Sequence, residues 1–90
     1  MKKFPIETGS IVISMAGRDE GRRFLVMKEL DQDFVLITNG ELRGVERPKK
    51  KRRKHLKPTG EIDALLAARW LAGEAVEDHE IRKRLMKEED

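Results

Sequence analysis

Short apolar runs separated by turn residues fill the first half of the chain, and they predict strands. Between residues 10 and 16, Ile11, Ile13 and Met15 recur at every second position, which puts them on one face of an extended segment. Later apolar runs, rich in β-branched or aromatic residues, follow turn-forming residues in the same way. Four closely joined strands are predicted, over residues 10–16, 22–28, 34–38 and 41–45.

The connections between these strands carry turn signals. Gly17 and Gly21 bound the first turn, and the Asp-Gln-Asp sequence at 31–33 forms the second. The Asn-Gly pair at 39–40 predicts a two-residue hairpin that returns the chain through 41–45, because both residues tolerate positive φ. Four short strands joined in this way must curl into a small barrel to bury their faces.

Beyond residue 58 the apolar spacing changes to that of a helix. Apolar side chains recur at i, i+3, i+4 and i+8, with Thr59 as the expected N-cap and Gly73 as the expected C-cap. This stripe is expected to pack on the barrel, which gains from such a cover. Its members are Ile62, Leu65, Leu66 and Trp70.

A second helix is predicted from Asp78, as N-cap, through Ile81, Leu85 and Met86. Its basic residues lie toward its C-terminal half, as the helix dipole favours. The chain should therefore be mainly β with one or two C-terminal helices.

Composition narrows the class of protein. A chain of 90 residues with 38% hydrophobic residues fits one small domain. The sequence has no Cys, which excludes disulfides, thiolate metal sites and a cysteine nucleophile, and suits the cytoplasm. Apolar runs such as 24–27 and 34–37 are too short to span a membrane, so no membrane partner is expected.

One block of charge stands out from a modest net charge of +3. Residues 47–60 carry eight Lys and Arg and no Asp or Glu, whereas 1–46 and 61–90 have net charges of −1 and −4. Such blocks are usually solvated surface, tails or targeting signals. Because Pro48 ends the preceding strand and Leu56 can anchor a short last one, we expect a basic loop over 47–57 that is held at both ends.

Mutual repulsion in this block is most simply explained by an external polyanion. Four of its side chains are expected to lie outside the core: Lys50, Lys51, Arg52 and Arg53.

The segment 9–22, GSIVISMAGRDEGR, resembles the KOW motif of several ribosomal proteins and transcription elongation factors, in which a strand leads into a glycine-bounded basic turn. With the later landmarks at 39–47 and 55–56, the chain resembles the KOW-superfamily large-subunit ribosomal proteins of archaea and eukaryotes and their small bacterial relatives. The resemblance covers roughly residues 6–58. Many KOW segments carry a further glycine three residues after Gly21, where this chain has Phe24.

The resemblance implies a small SH3-like (KOW) β-barrel over 6–58, followed by a helical extension over 59–90, and it implies RNA binding. The residue chemistry agrees, because glycines allow a sugar-phosphate backbone to approach the main chain and arginines donate to phosphates. The candidate RNA-binding residues are Gly17, Arg18, Gly21, Arg22, Arg23, Arg43, Arg47, Lys49, Lys50, Lys51, Arg52, Arg53, Lys54, His55 and Lys57. Some of them have a structural alternative, since the turn acids Asp19 and Glu20 can pair with neighbouring arginines.

Few aromatic residues are available to stack on bases. Phe4, Phe24, Phe34 and Trp70 are the only aromatics, and most are expected in the core. Structured RNA recognised by shape and phosphate position, ribosomal RNA above all, therefore fits better than a single strand read by an aromatic platform.

Catalysis is not expected. His55 and His79 lie in different segments, and the sequence has no Gly-x-x-x-x-Gly-Lys phosphate loop. No cofactor and no metal are expected either.

The leading hypothesis is a cytoplasmic ribosomal-RNA-binding protein, associated with the large ribosomal subunit or its assembly. Ribosomal proteins are further candidate partners, and the chain should be a monomer outside the ribosome. Two alternatives remain. One is a protein-interaction module that docks on a transcription or translation factor, and the other is a nonspecific binder of DNA or anionic membranes through the basic run.

Overall fold

The computed structural model describes residues 4–86, and in them five strands precede two helices. The strands are β1 (Ser10–Ser14), β2 (Arg23–Glu29), β3 (Phe34–Thr38), β4 (Lys49–Arg52) and β5 (Leu56–Ile62). A 3₁₀ turn, Arg53–His55, joins the last two strands, and the helices are α1 (Ala64–Leu71) and α2 (Asp78–Met86).

The strands form one antiparallel sheet in the order β4-β3-β2-β1-β5. The strands at its two edges, β4 and β5, follow each other in the chain and are separated only by the 3₁₀ turn. The predicted mainly β class with C-terminal helices is confirmed, and the topology is consistent with a small SH3-like barrel. No helix within residues 4–86 is long and apolar enough to cross a membrane.

Apolar side chains are buried on both faces of the central strands. Ile11 and Val12 are neighbours on β1, point to opposite faces, and are both 0% exposed. The inner core consists of Val12, Phe24, Val26, Val35, Ile37 and Leu56. The outer core, which contains side chains of both helices, consists of Ile11, Leu25, Leu66, Val76, Ile81 and Leu85.

Glycine lets α1 approach the sheet closely. A Cβ atom at Gly9 would lie 2.6 Å from the Cβ of Ala67 and 2.9 Å from the carbonyl oxygen of Asp63. Asp63 caps α1, since its side chain accepts a hydrogen bond from Leu66 N, and its other oxygen lies 2.8 Å from Arg84 Nε of α2. The two helices are thus fixed to the barrel and to each other.

The predicted hairpin at the Asn-Gly pair and the strand over 41–45 are wrong. The Oδ1 atom of Asn39 accepts hydrogen bonds from the backbone N–H groups of Glu41 and Arg43, at 3.0 and 3.1 Å, and the Thr38 hydroxyl donates to the Arg43 carbonyl. These bonds widen the turn. The chain therefore rejoins the sheet only at Lys49.

The predicted basic loop over 47–57 is also wrong, because most of it belongs to β4, the 3₁₀ turn and the start of β5. The backbone of β4 pairs with β3 from Ile37 opposite Lys49 to Phe34 opposite Arg52. Lys51 is only 7% exposed, so the expectation that it lies outside the core is wrong as well. Main-chain pairing overrides the charge repulsion here, because alternate side chains leave on opposite faces.

The barrel extends beyond the predicted limit at residue 58, since β5 continues to Ile62. Thr59 lies within this strand and donates a 2.8 Å hydrogen bond to the Ile11 carbonyl, so it is not a helix cap. In the predicted helical stripe, Leu66 is buried and Trp70 packs against the outer core, whereas Leu65 is 78% exposed.

The second helix agrees with its prediction at the buried positions Ile81 and Leu85. Asp78 is its first residue rather than its N-cap, and its Oδ1 accepts a hydrogen bond from Val45 N. Met86 and also Met15, both predicted on apolar faces, are 68% and 51% exposed. Residues 87–90 of the predicted extension lie outside the described residues.

Candidate nucleic-acid interface

The glycine-bounded turn between β1 and β2 has the conformation that its sequence predicts. Gly17 and Gly21 have φ values of +80° and +87°, a region that residues with a Cβ atom rarely adopt. The Gly21 N–H donates a 2.7 Å hydrogen bond to the Ser14 carbonyl and closes the turn. Arg18 and Arg22 are exposed on it, and within residues 4–86 neither side chain forms an ion pair or hydrogen bond.

Asp19 is a buried acid within this turn. Its side chain is 6% exposed, and its Oδ2 atom lies 3.3 Å from Arg43 Nε and 3.5 Å from Lys49 Nζ. Two of the candidate RNA-binding cations are therefore already neutralised in part by the protein itself. The same contacts hold the turn against the segment that leads into β4.

Lys51 of β4 binds the main chain of the glycine-bounded turn. Its ammonium group donates a 2.9 Å hydrogen bond to the carbonyl oxygen of Ala16, and its partner across the ladder is Val35 of the inner core. A Cβ atom at Gly17 would lie 3.6 Å from the same ammonium nitrogen. The stem of Lys51 thus packs inside the barrel and its charge meets the main chain of the turn.

Arg53 joins three separate parts of the chain. Its guanidinium group donates to the Ile6 carbonyl at 2.6 Å, to the Asp31 carbonyl at 2.8 and 3.0 Å, and to Glu29 Oε1 at 3.0 Å. Its backbone N–H also bonds to the Asp33 carbonyl. Because all three of its guanidinium nitrogens donate to groups of the protein, Arg53 acts as a structural clamp.

Lys50 and Arg52 leave β4 on the opposite face from Lys51. The Nζ atom of Lys50 lies 4.5 Å from the centre of the Phe34 ring, and the Cζ atom of Arg52 lies 4.9 Å from it. Cation–π attraction of this kind orients the side chains without neutralising them. Phe34 is half-buried, and its contact with two cations depends on the pairing of β3 with β4, which could not be predicted from sequence.

Lys28 is a cation that the sequence analysis missed. Lys28, Leu36 and Lys50 lie side by side across three neighbouring strands, so Lys28 extends the outward row of β4. Only the strand pairing identifies Lys28 as part of this row. That pairing depends on the position of β4, which could not be predicted from sequence.

The candidate cations thus fall into two groups. The engaged cations, which bind acids or carbonyls of the protein, are Arg43, Lys49, Lys51 and Arg53. The open cations, which have no ion pair or hydrogen bond to another group within residues 4–86, are Arg18, Arg22, Lys28, Arg47, Lys50, Arg52, Lys54 and Lys57. Arg23, which also interacts with another group, and His55 are half-buried and are not counted among the open cations.

The glycine-bounded turn, the start of β4 and the 3₁₀ turn lie together. Met15 N donates a 2.8 Å hydrogen bond to the His55 carbonyl, which places the 3₁₀ turn beside the start of the glycine-bounded turn. The contacts of Lys51 and Asp19 described above bring β4 to the same turn. These contacts bring the main chain of the two turns and of β4 together, whereas Lys50 and Arg52 leave β4 on the face opposite Lys51.

Comparison with known proteins gives relatives for part of the chain. No protein-family model matches it. It is 44% identical over 55 residues to the large ribosomal subunit protein eL14 of Desulfurococcus amylolyticus, which covers 60% of this chain and 56% of that protein. It is 38% identical over 58 residues to eL14 of Staphylothermus marinus, which covers 63% of this chain and 59% of that protein.

The chain spans somewhat more than half the length of these curated relatives. Both are named as proteins of the large ribosomal subunit, the class that the glycine-bounded turn and its flanking landmarks predict. The predicted resemblance is therefore confirmed, and over about 60% of its length the chain is related in sequence to the eL14 ribosomal proteins.

Proposed function

We propose that the chain binds ribosomal RNA in the cytoplasm, as a component of the large ribosomal subunit or of its assembly intermediates. The observation that carries the proposal is the separation of engaged from open cations. The engaged cations are held by acids or carbonyl oxygens of the protein, whereas those on the neighbouring turns and on the outer face of β4 remain available. The ribosomal names of the relatives support the same conclusion.

The open cations suit a phosphate backbone. Lys50 and Arg52 are two residues apart on one strand, about 7 Å along it, a spacing comparable with that of successive phosphates on a nucleic-acid strand. Phe34 holds both side chains over its ring, which reduces the rotamer freedom that binding must remove. The glycine-bounded turn adds Arg18 and Arg22, beside main chain that an RNA backbone can approach closely.

Ribosomal proteins are the proposed second class of partner. Leu65 and Leu71 of α1 are 78% and 76% exposed, and Ala68 between them is exposed on the same helix. Contiguous exposed apolar side chains mark protein contacts. This surface belongs to a different element from the open cations.

Replacement of four open cations tests the RNA proposal. A variant with Lys50, Arg52, Lys54 and Lys57 changed to Ala should bind large-subunit ribosomal RNA less tightly. The slope of log K against log salt should become shallower by about 3 to 4 units, at roughly 0.7–0.9 per phosphate contact. Lys83→Ala, an exposed cation of α2, is the control and should leave the slope unchanged. An unaltered slope in the quadruple variant would remove the proposed interface.

Two further measurements separate the alternatives. Competition of ribosomal RNA with duplex DNA and with anionic vesicles at matched salt distinguishes RNA binding from nonspecific attraction to a polyanion. A sucrose-gradient profile of the tagged chain in its native cell should place it with large subunits or their precursors. A profile with free protein only, or with the transcription machinery, would contradict the proposal.

A further inference from the structure

A cleft of about 750 Å³ lies between the N-terminal segment, Met15 and the 3₁₀ turn. Its walls are apolar, and Leu56 of the inner core forms part of them. The volume falls within the range of about 300–1,000 Å³ that small-molecule sites occupy. The cleft is therefore large enough for a flat, ring-sized group.

Two of its wall residues are apolar and unusually exposed. Phe4 and Met15 are 53% and 51% exposed, and both border the cleft. The Phe4 ring rests on the backbone of β5 at Gly60, where an added Cβ atom would lie 3.0 Å from the ring. One side of the aromatic wall is thus braced by the protein. The thioether of Met15 adds a polarisable surface of the kind that packs well against aromatic rings.

The rim of the cleft is cationic. Lys54 and Lys57 border it, and both are open cations. Arg53 also borders it, but its guanidinium group is committed to the clamp described above. An apolar peptide would leave the two lysines without a counter-charge, and a lone phosphate would leave the apolar walls exposed. A nucleotide can cover the apolar walls with its flat base and supply a negative charge to the two lysines with its backbone phosphate.

We propose that this cleft holds one unpaired base of the bound RNA, stacked against Phe4 and Met15, with the flanking phosphates on Lys54 and Lys57. The proposal rests on the proposed RNA-binding function and deepens it. Met15 N is bonded to the His55 carbonyl, so the cleft is fixed relative to the glycine-bounded turn. The base therefore lies next to the phosphates that Arg18 contacts, which identifies a bulge or loop nucleotide at the edge of a paired segment as the ligand.

The test compares two RNA hairpins that differ only in one bulged nucleotide. The wild-type chain should bind the bulged hairpin roughly 5- to 160-fold more tightly, the range expected for stacking of one base. A variant with Phe4→Ser and Met15→Ser should lose this preference and retain its affinity for the paired hairpin. Leu42→Ser, which removes an apolar side chain that is 72% exposed and does not border the cleft, is the control and should keep the preference.

The outcomes separate this proposal from the proposed function. Equal binding of both hairpins by the wild type, or an undiminished preference in the double variant, would overturn the base site and leave RNA binding intact. Failure of the wild type to bind either hairpin and ribosomal RNA would overturn the function itself.

Peroxide oxidation of Met15 provides a second measurement that needs no substitution. Bulged RNA should slow the formation of its sulfoxide, and the paired hairpin should not. Equal protection by both hairpins, or protection by a ribosomal protein partner and not by RNA, would overturn the base site.

Discussion

The ammonium nitrogen of Lys51 lies 2.9 Å from the carbonyl oxygen of Ala16, and this hydrogen bond ties β4 to the glycine-bounded turn. The two neighbours of Lys51 in sequence, Lys50 and Arg52, face solvent over the Phe34 ring instead. Neighbouring cations on β4 therefore have different roles. Those that point into the barrel contribute to stability, and those that point outward are available to a ligand.

Lys51→Ala should lower the free energy of unfolding by about 1–3 kcal/mol, because it removes the donor to a part-buried carbonyl and the packing of the lysine stem. Lys50→Ala should change that free energy by no more than about 0.5 kcal/mol, as is usual for exposed positions. Urea denaturation of both variants measures the difference. In RNA binding the order should reverse, with the larger loss in Lys50→Ala. Equal urea midpoints would show that Lys51 contributes no more to the free energy of unfolding than Lys50 does.

Gly9→Ala should be more destabilising than Gly21→Ala, although both glycines have positive φ, +93° and +87°. The backbone cost of about 1–3 kcal/mol applies to both positions. Only at Gly9 does the added methyl meet α1, 2.6 Å from the Cβ of Ala67, whereas nothing lies within 4 Å at Gly21. Overpacking adds about 1–3 kcal/mol. Thermal denaturation compares the two variants directly, and equal melting temperatures would contradict the close packing of α1 on the sheet.

Asp19→Asn should weaken the fold and strengthen the salt dependence of RNA binding. Loss of the carboxylate leaves Arg43 and Lys49 without their buried counter-charge, at a cost of about 1–3 kcal/mol. The two released cations can then contact phosphates, which should steepen the slope of log K against log salt by about 1–2 units. Glu20→Gln makes the same change of net charge at an exposed neighbour and serves as control. If the slope steepens equally in both variants, the change in net charge explains it, and release of Arg43 and Lys49 does not.

Glu80 makes stability depend on acid pH. A hydrogen bond from Arg69, followed by one from the Glu77 backbone N–H, lowers the pKa of Glu80 from 4.5 to about 2. Because the folded-state pKa is depressed, this stabilisation is present above about pH 4.5 and is lost as the pH falls toward 2. Glu80→Gln should therefore melt at a lower temperature than wild type at pH 7, and the difference should shrink between pH 4.5 and 2. Glu46→Gln, which makes the same change of charge at an exposed site, is the control.

The first three strands could be predicted from sequence because their apolar residues follow turns that the sequence marks clearly. The strand β4 could not, since four consecutive cations offer no apolar alternation. Its pairing with β3 is set by tertiary contacts, among them the burial of Lys51. The Asn-Gly pair misled for a related reason: the Asn39 side chain bonds to two backbone N–H groups further along and makes a wider turn.

The candidate site divides in the same way. Charge identified the basic run, and the glycine-bounded turn with its KOW resemblance identified the arginines beside it. The division into engaged and open cations depends on partners far away in sequence, such as Asp19 for Lys49 and Ile6 for Arg53. The exposed aromatic rings were missed because a lone Phe in a short apolar run is most often a core residue. Only the fold distinguishes Phe24, which is buried, from Phe4.

Burial of both faces of β1 bears on how the chain finds its native strand alignment. In a sheet with one solvated face, a slip of one residue is penalised because it exposes the whole apolar set. On β1 a slip would exchange Ile11 for Val12, and apolar surface would stay covered. The alignment must then be selected by directional bonds such as that from the Thr59 hydroxyl to the Ile11 carbonyl. Misaligned intermediates are therefore expected to form most readily at strands buried on both faces, such as β1 and β2, where hydrophobicity does least to reject them.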